Sequence, residues 1–352
     1  MALIGYSLLL FLSFYILAEI GDKYFVPSLD KISKALNLSH DMAGATLMAA
    51  GSSAPEIFVA IMALFKPGDH GDLGVGTIVG SAIFNLLAII GVAGIVKKSV
   101  IAWQPVVRDL LFYAISIIAF YIVLENERVT LLESIAFILM YGFYVYSVIN
   151  WKKWFKYEEI DIEPIYAEEK ESSGGWKSIF KPIDATIKFI VPRPEKYILV
   201  FTISILLIAA TCWVLVESAV HVSAILGVPE MVIALIVLGI GTSVPDIVSS
   251  AIVAKQGRGG MAVSNAVGSN IFDIFIGLGL PWFLKHVLLK EEVITHIEGL
   301  EVAVGLLLGS VLLILFALLY KKWTLNKGLG YILILLYILF VVYEIVDLYV
   351  FQ

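Results

Sequence analysis

The sequence predicts an all-α integral membrane protein whose ten transmembrane helices form two inverted five-helix repeats. Three observations carry this prediction: an unusually apolar composition, a one-sided distribution of positive charge, and an internal repeat of two polar motifs. Of the 352 residues, 60% are hydrophobic and 15% are charged, and stretches such as 199–215 and 302–319 carry no charge. A helix of about 20 apolar residues crosses a bilayer, so the main solvent of this chain is lipid.

Ten apolar segments are predicted to span the membrane, and they leave no room for a separate catalytic domain. We therefore expect a transport protein and not an enzyme. The first segment lacks a preceding basic region, so we expect a retained helix rather than a cleaved signal peptide. Numbered in chain order, spans 1 to 10 are predicted at 3–18, 42–65, 73–96, 106–124, 131–149, 197–219, 231–254, 261–284, 300–320 and 331–350.

The connections between these spans differ strongly in positive charge. With alternate connections on alternate sides, one side collects 20 of the 24 Lys and Arg residues. By the positive-inside rule, both termini face outward and the longest connection, 151–195, is cytoplasmic, as expected for a plasma-membrane protein. That connection carries acidic residues over 158–171, typical of a solvated linker, with a regulatory cation site as the alternative. Residues 176–190 are predicted to lie along the membrane surface.

Composition also limits the partners. The net charge of -6, without a basic run, argues against nucleic acid. The single cysteine, Cys212, lies in an apolar segment, so no disulfide forms within the chain. We expect the lipid bilayer and transported cations as partners, no cofactor, and function as a monomer.

The internal repeat places the same polar motifs on the second and third span of each half. GSSAPE at 51–56 matches GTSVPD at 241–246, and VGSAIFN at 79–85 matches VGSNIFD at 267–273. Because each half has an odd number of spans, the second copy is inverted relative to the first. The predicted repeats, 1–150 and 196–352, therefore bring their broken helices together near the bilayer midplane, where such transporters bind substrate.

Two motif carboxylates lie within apolar spans. Placing Glu56 or Asp246 near the bilayer centre costs about 2.5 to 3.5 kcal/mol on insertion scales, so a bound cation or proton is the natural partner. No Lys or Arg occurs within the four motif segments. Pro55 and Pro245, directly before the acids, weaken their helices and free carbonyl oxygens that are tolerated only where they line a cavity or bind a ligand.

The other motif side chains supply oxygen but neither sulfur nor imidazole. Oxygen ligands suit hard cations such as Ca²⁺ or Na⁺, although serine hydroxyls also bond back to helix carbonyls. If Asp273 joins Glu56 and Asp246, the three carboxylates balance one Ca²⁺ plus one monovalent cation, or sodium ions alone. Competition of Ca²⁺ and Na⁺ for one pocket, reached alternately from two sides, is the simplest basis for exchange.

At these residues the chain resembles the cation/calcium exchanger superfamily, whose two alpha-repeats are similar to 45–91 and 238–282. The resemblance implies that Glu56 and Asp246 are the central calcium ligands, assisted by the carbonyls of Ser52 and Thr242, and that spans 1 and 6 slide against the other eight. It also implies flanking sodium sites formed by Ser53, Ser81, Ser243 and Ser269, with Asn85 and Asp273 nearby.

Within the superfamily, 259–282 is most similar to the potassium-dependent sodium/calcium exchangers, which carry an aspartate at the position of Asp273. Potassium-independent relatives can carry this acid as well, so potassium co-transport remains open. The alternative is a proton/calcium antiporter, which usually shows a different acidic motif. An intramembrane aspartyl protease fits less well because prolines and hydroxyls flank the acids, and a channel needs a continuous pore.

Overall fold

The computed structural model describes residues 1–38, 44–68, 70–155, 177–257, 259–295 and 300–350. These residues contain eight helices that are long and apolar enough to cross a membrane, and two bent helix pairs that each count as one more. The total is then the ten spans that the sequence predicts. The acidic residues of 158–171 lie outside the described residues.

Helices make up all ten spans and part of the long connection. In the first half they are Ala2–Ile20, Gly21–Phe25 and Val26–Ala35 (span 1), Gly44–Met48, Ala49–Ser52 and Ala54–Phe65 (span 2), Gly71–Ile83, Phe84–Ile89 and Ile90–Val96 (span 3), Trp103–Glu125 (span 4) and Leu131–Trp154 (span 5). The connection contains Lys177–Ile190. In the second half they are Tyr197–Leu226 (span 6), Glu230–Val232, Ile233–Leu238, Gly239–Thr242 and Val244–Lys255 (span 7), Gly259–Phe272, Asp273–Leu278, Gly279–Leu284 and Lys285–Leu289 (span 8), Glu301–Tyr320 (span 9) and Lys327–Val350 (span 10).

Span 1 is much longer than predicted, because its helix continues to Ala35 instead of ending near residue 18. The charges that marked a loop in the sequence are paired along the helix. Lys23 lies 2.6 Å from Glu19 and Lys34 lies 2.7 Å from Asp30, both at i,i+4 spacing. Such pairs let charged residues continue a helix at the edge of a membrane.

Two short antiparallel pairs of strands tie the connections together. Strand β1 (Ser99–Val100) pairs with β4 (Thr324–Leu325), and β2 (Arg128–Val129) pairs with β3 (Val293–Ile294). The first pair joins the connection after span 3 to that after span 9, and the second joins those after spans 4 and 8. Inverting one repeat onto the other exchanges these two pairs, as an inverted repeat requires.

The helix of the long connection docks on span 1. Tyr15 donates a 2.6 Å hydrogen bond to Asp184 and stacks on Phe180 at 4.1 Å between ring centroids. Ile187 is buried in this contact, whereas Phe189 is 90% exposed. The helix matches the predicted amphipathic segment, and its position along the membrane surface stays a prediction.

Span 3 forms the centre of the fold and crosses span 7 at two glycines. A Cβ atom on Gly80 would lie 2.2 Å from the carbonyl oxygen of Leu235, and one on Gly239 would lie 2.6 Å from the carbonyl carbon of Gly80. Only glycine allows backbones to approach this closely. The crossing holds the motifs of the two repeats together in this conformation.

Candidate cation site

Spans 2 and 7 break at equivalent serines. The backbone of Ser53 has φ -91° and ψ 8°, and that of Ser243 has φ -94° and ψ 4°. The helices bend there by 64° and 47°. Pro55 and Pro245 are the second residues of the helices that follow, where a missing N–H breaks no helical hydrogen bond. The predicted weakening is therefore a complete break, which begins just before each proline.

Each break places the C-terminal end of one half-helix and the N-terminal end of the next in the same region. The cap N–H groups of Ser53 and Ser243 bond the carbonyls of Ala49 and Ile240, and the later carbonyls of each half-helix have no donor further along it. These ends carry partial negative charge, which favours a cation. Glu56 and Asp246 follow as the third residues of the next half-helices.

The three predicted acids lie close enough to interact electrostatically. Glu56 interacts with both Asp246 and Asp273, which also interact with each other. Glu56 and Asp273 are buried, whereas Asp246 is half-buried. Among the described residues, no three His, Cys, Asp or Glu side chains converge to metal-binding distance. In this conformation the acids thus face one region without closing around a single point.

Hydroxyl groups of one repeat lie beside the acids of the other. Thr242 and Ser243 of the second repeat are next to the Glu56 carboxylate. Ser53 of the first repeat is next to the Asp273 carboxylate. The site is therefore shared across the repeat interface, as inverted symmetry predicts.

Several of these buried oxygens lack hydrogen bonds within the part of the chain that the structure describes. Ser53 and Ser243 lie near the acids, yet their hydroxyls do not reach hydrogen-bond geometry. Each unsatisfied buried polar group costs about 1–3 kcal/mol. An oxygen-coordinated cation would remove this cost. The atoms concerned at the motifs are Ser53 Oγ, Glu56 Oε2, Asn85 Oδ1, Ser243 Oγ and Asp273 Oδ1.

The other predicted hydroxyls bond back to their own helices. These bonds still leave oxygen lone pairs that can coordinate a cation. The hydroxyls of Ser52, Ser81, Thr242 and Ser269 donate to the carbonyls of Ala49, Ile78, Leu238 and Ala266 at 3.2, 3.0, 3.0 and 3.1 Å.

A buried pair of amide side chains joins spans 3 and 8, and it includes a residue that the sequence analysis missed. Asn85 donates to Asn270 Oδ1 at 3.0 Å and approaches Ser269 Oγ at 3.4 Å. Asn270 donates in turn to the Ala82 carbonyl at 3.0 Å and to Tyr113 at 3.1 Å. Asn270 replaces the alanine of the first motif, and an amide in an apolar span is itself a signal of function.

A second missed neighbour is Cys212 on span 6. Its thiol is buried and approaches the carbonyl oxygen of Pro55 at 3.7 Å. Cys212 therefore packs directly against the broken segment of span 2. Periodicity places this residue in an apolar helix without revealing which motif it touches.

Comparison with known proteins identifies the family. The profile of the sodium/calcium exchanger protein family matches residues 6–150 and 196–346. The chain belongs to the sodium/calcium exchanger family. In a 495-residue alignment, this family member is 30% identical to human sodium/potassium/calcium exchanger 4, and the alignment covers 94% of this chain and 79% of that protein. It is also 30% identical over 422 residues to human sodium/potassium/calcium exchanger 5, covering 97% and 84%.

Solved structures show the same fold. The sodium-calcium exchanger NCX_Mj, soaked with 2.5 mM Na⁺ and 10 mM Sr²⁺, superposes with a TM-score of 0.58 at 22% identity, over 96% of this family member and 98% of that chain. The same exchanger soaked with 10 mM Na⁺ and no Ca²⁺ also gives 0.58. The predicted fold class, an all-α membrane protein of two five-helix repeats, is confirmed.

Proposed function

We propose that this family member is a secondary active antiporter that exchanges Na⁺ for Ca²⁺ across a membrane by alternating access. The observation that carries this proposal is the set of buried oxygens without hydrogen bonds where two broken helices of opposite orientation meet. Buried acids at such a place are stabilised by a cation. The names of the matched relatives support sodium and calcium as the substrates and do not favour the proton/calcium alternative.

The central calcium ligands in this proposal are the carboxylates of Glu56 and Asp246 with the carbonyls of Ser52 and Thr242. Buried Glu56 and the adjacent hydroxyls of the other repeat support this assignment. Flanking sodium sites would use Ser53, Ser81, Ser243 and Ser269, with Asn85 and Asp273 beside them.

Exchange follows from the charge of the site. Mutually repelling carboxylates in a low-dielectric region hold the protein in one access state until cations neutralise their charge. Ca²⁺ and Na⁺ then bind the same oxygens at different times, and the loaded site opens to alternate sides of the membrane, so each ion crosses in its own direction. No resident cofactor and no enzymatic step enter this scheme.

Potassium is the third cation to test. Asp273 is buried and interacts with Ser53 and both central acids. The matched relatives are named sodium/potassium/calcium exchangers. We therefore propose Asp273 as the residue at which potassium binds.

The topology in this proposal has both termini outside, the 151–195 connection in the cytoplasm and the protein in the plasma membrane. The charge asymmetry of the connections supports it. The five-helix units 1–150 and 196–352 would act together within one monomer.

The test uses purified protein in sodium-loaded vesicles that are diluted into sodium-free buffer containing Ca²⁺, with and without potassium. Calcium uptake should require the outward sodium gradient and should be lost in Glu56→Gln and in Asp246→Asn. Ser310→Ala is the matched control, since Ser310 is buried outside the motifs. Uptake driven by a proton gradient, or indifferent to any counter-gradient, would refute sodium exchange.

A further inference from the structure

The two repeats differ in exposure although their sequences match. Ala54 and Glu56 of the first repeat are 3% and 2% exposed. Their counterparts in the second repeat are Val244, which is 45% exposed, and Asp246, which is half-buried. Val248, one turn further on, is 56% exposed. The C-terminal half of span 7 is therefore more exposed than that of span 2, and we call this exposed region the opening.

This opening lies toward the side that is rich in Lys and Arg. The C-terminal half of span 7 ends at Lys255, whose carbonyl oxygen accepts a 3.3 Å hydrogen bond from Lys97. The opposite side is closed, because span 3 packs tightly on span 7 at Gly80 and His70 bonds Glu230 at 3.0 Å. Since lipid would not solvate the Asp246 carboxylate, we take this opening to be filled with water.

Span 1 places one further carboxylate at this opening. Phe14 of span 1 packs on Gly241, and Val26 and Leu29 pack on Gly51. Asp22 lies four residues before Val26, on the same helix face, in the π-helical turn Gly21–Phe25. Asp22 is exposed and interacts electrostatically with Asp246.

The inverted symmetry locates Asp22 independently. Asp22 precedes Glu56 by 34 residues, as Cys212 precedes Asp246. Because Cys212 touches Pro55 of the opposite repeat, its counterpart Asp22 belongs beside Pro245 and Asp246. The two access routes thus carry different chemistry: a carboxylate on one and a buried thiol on the other.

We propose that Asp22 is a cation-handling residue of the Lys/Arg-rich side, where it passes hydrated Ca²⁺ or Na⁺ between the aqueous opening and Asp246. This assignment rests on the proposed exchange function. A carboxylate at the mouth of a narrow opening raises the local cation concentration. The route past Cys212 has a thiol at the equivalent position, and the nearby acid Glu217 is paired with Lys66, so we expect the effect on one side only.

Sided transport tests the assignment. Calcium concentration for half-maximal uptake is measured from each face, in inside-out and right-side-out vesicles, for wild type and Asp22→Asn. Removing one exposed charge near a divalent ion should raise that concentration roughly three- to tenfold from the Lys/Arg-rich face only. Asp22→Glu should restore it, and Glu19→Gln, one turn earlier and paired with Lys23, is the matched control. Equal changes from both faces, or none, would overturn the proposal.

A second readout does not need transport. Asp22→Cys in a Cys212→Ser background should react with a membrane-impermeant thiol reagent from the Lys/Arg-rich face, and Ca²⁺ should slow the reaction. No reaction from that face, or reaction insensitive to Ca²⁺ and Na⁺, would contradict the role of Asp22. If the wild type did not exchange the two ions, the exchange proposal would fail while this labelling still decided whether Asp22 lines a cation path.

Discussion

The crossing of spans 3 and 7 allows a sharp test of how the two repeats alternate. In Gly80→Ala the new methyl group would lie 2.2 Å from the Leu235 carbonyl oxygen and 2.7 Å from its Cα atom. Both are backbone atoms, so no side-chain rotation relieves the contact. The helices must separate by more than 1 Å to reach ordinary van der Waals distance.

The equivalent glycine of the second repeat supplies a matched control. A Cβ atom on Gly268 would lie 3.7 Å from the Tyr144 hydroxyl, an ordinary contact. Gly268→Ala therefore fits the present conformation, whereas Gly80→Ala does not. If the repeats exchange roles during transport, Gly268 crosses span 2 near Ala49 in the opposite state, less tightly than Gly80 crosses span 7, because Ala49 carries a methyl group.

The magnitude follows from the cost of overpacking. An added methyl group in a tightly packed contact costs about 1–3 kcal/mol, which is roughly a 5- to 150-fold change in a two-state equilibrium. Gly80→Ala should move the population away from the observed conformation by that factor, and Gly268→Ala should move it toward this conformation. Both variants should slow exchange, because each disfavours one state of the cycle.

Thiol labelling measures the shift. Val248→Cys, in a Cys212→Ser background, reports the opening on the Lys/Arg-rich side. We expect labelling to be slower with Gly80→Ala and as fast or faster with Gly268→Ala. Equal labelling in the two variants would refute the claim that Gly80 and Gly268 occupy equivalent crossings, each closed in one of the two access states.

Three further outcomes are expected. Asp273→Asn should abolish any stimulation of calcium uptake by potassium while sodium-driven uptake persists at a lower rate; a potassium titration that matches wild type would exclude Asp273 from a potassium site. Asn270→Ala should lower the melting temperature in detergent, because losing its hydrogen bonds costs about 1–3 kcal/mol, whereas Ser310→Ala removes a buried hydroxyl that has no hydrogen bond in the described chain and should leave the melting temperature unchanged or raise it. Asp109→Leu removes the carboxylate that Arg108 contacts at 2.8 Å in a buried pair and should destabilise by about 3–5 kcal/mol; an unchanged melting temperature would show that Arg108 does not depend on it.

The spans could be predicted because lipid imposes one rule on the whole chain: an apolar segment of sufficient length must be a helix. The rule fails where charges pair within a helix. Span 1 continues past Glu19 and Lys23 because their i,i+4 contact makes them compatible with the helix. A hydropathy pattern registers two charges and predicts a loop instead.

The motif residues could be predicted because each motif occurs twice in the sequence. The position of each helix break could not be predicted in this way. Proline indicates a weakened helix, whereas the actual break depends on the backbone of Ser53 and Ser243 and on the neighbours that each half-helix meets. Asn270 was missed because repeat matching draws attention to what the halves share. Asn270 has no amide counterpart in the first half, where Ala82 stands at the matching position.

The conformation itself could not be predicted, and the physical reason is the symmetry of the sequence. Inverted halves can exchange conformations, so the differences between paired positions decide which access state is populated. Among these differences are four paired positions near the site: Ala49 and Gly239, Ala82 and Asn270, Asn85 and Asp273, and Asp22 and Cys212. Gly239 permits the tight crossing with Gly80. Its counterpart in the first repeat, Ala49, carries a methyl group. Asp22 and Cys212 give the two routes unequal attraction for cations. A symmetric frame therefore brings the acids together, and the asymmetric residues set how each side of the membrane handles the ions.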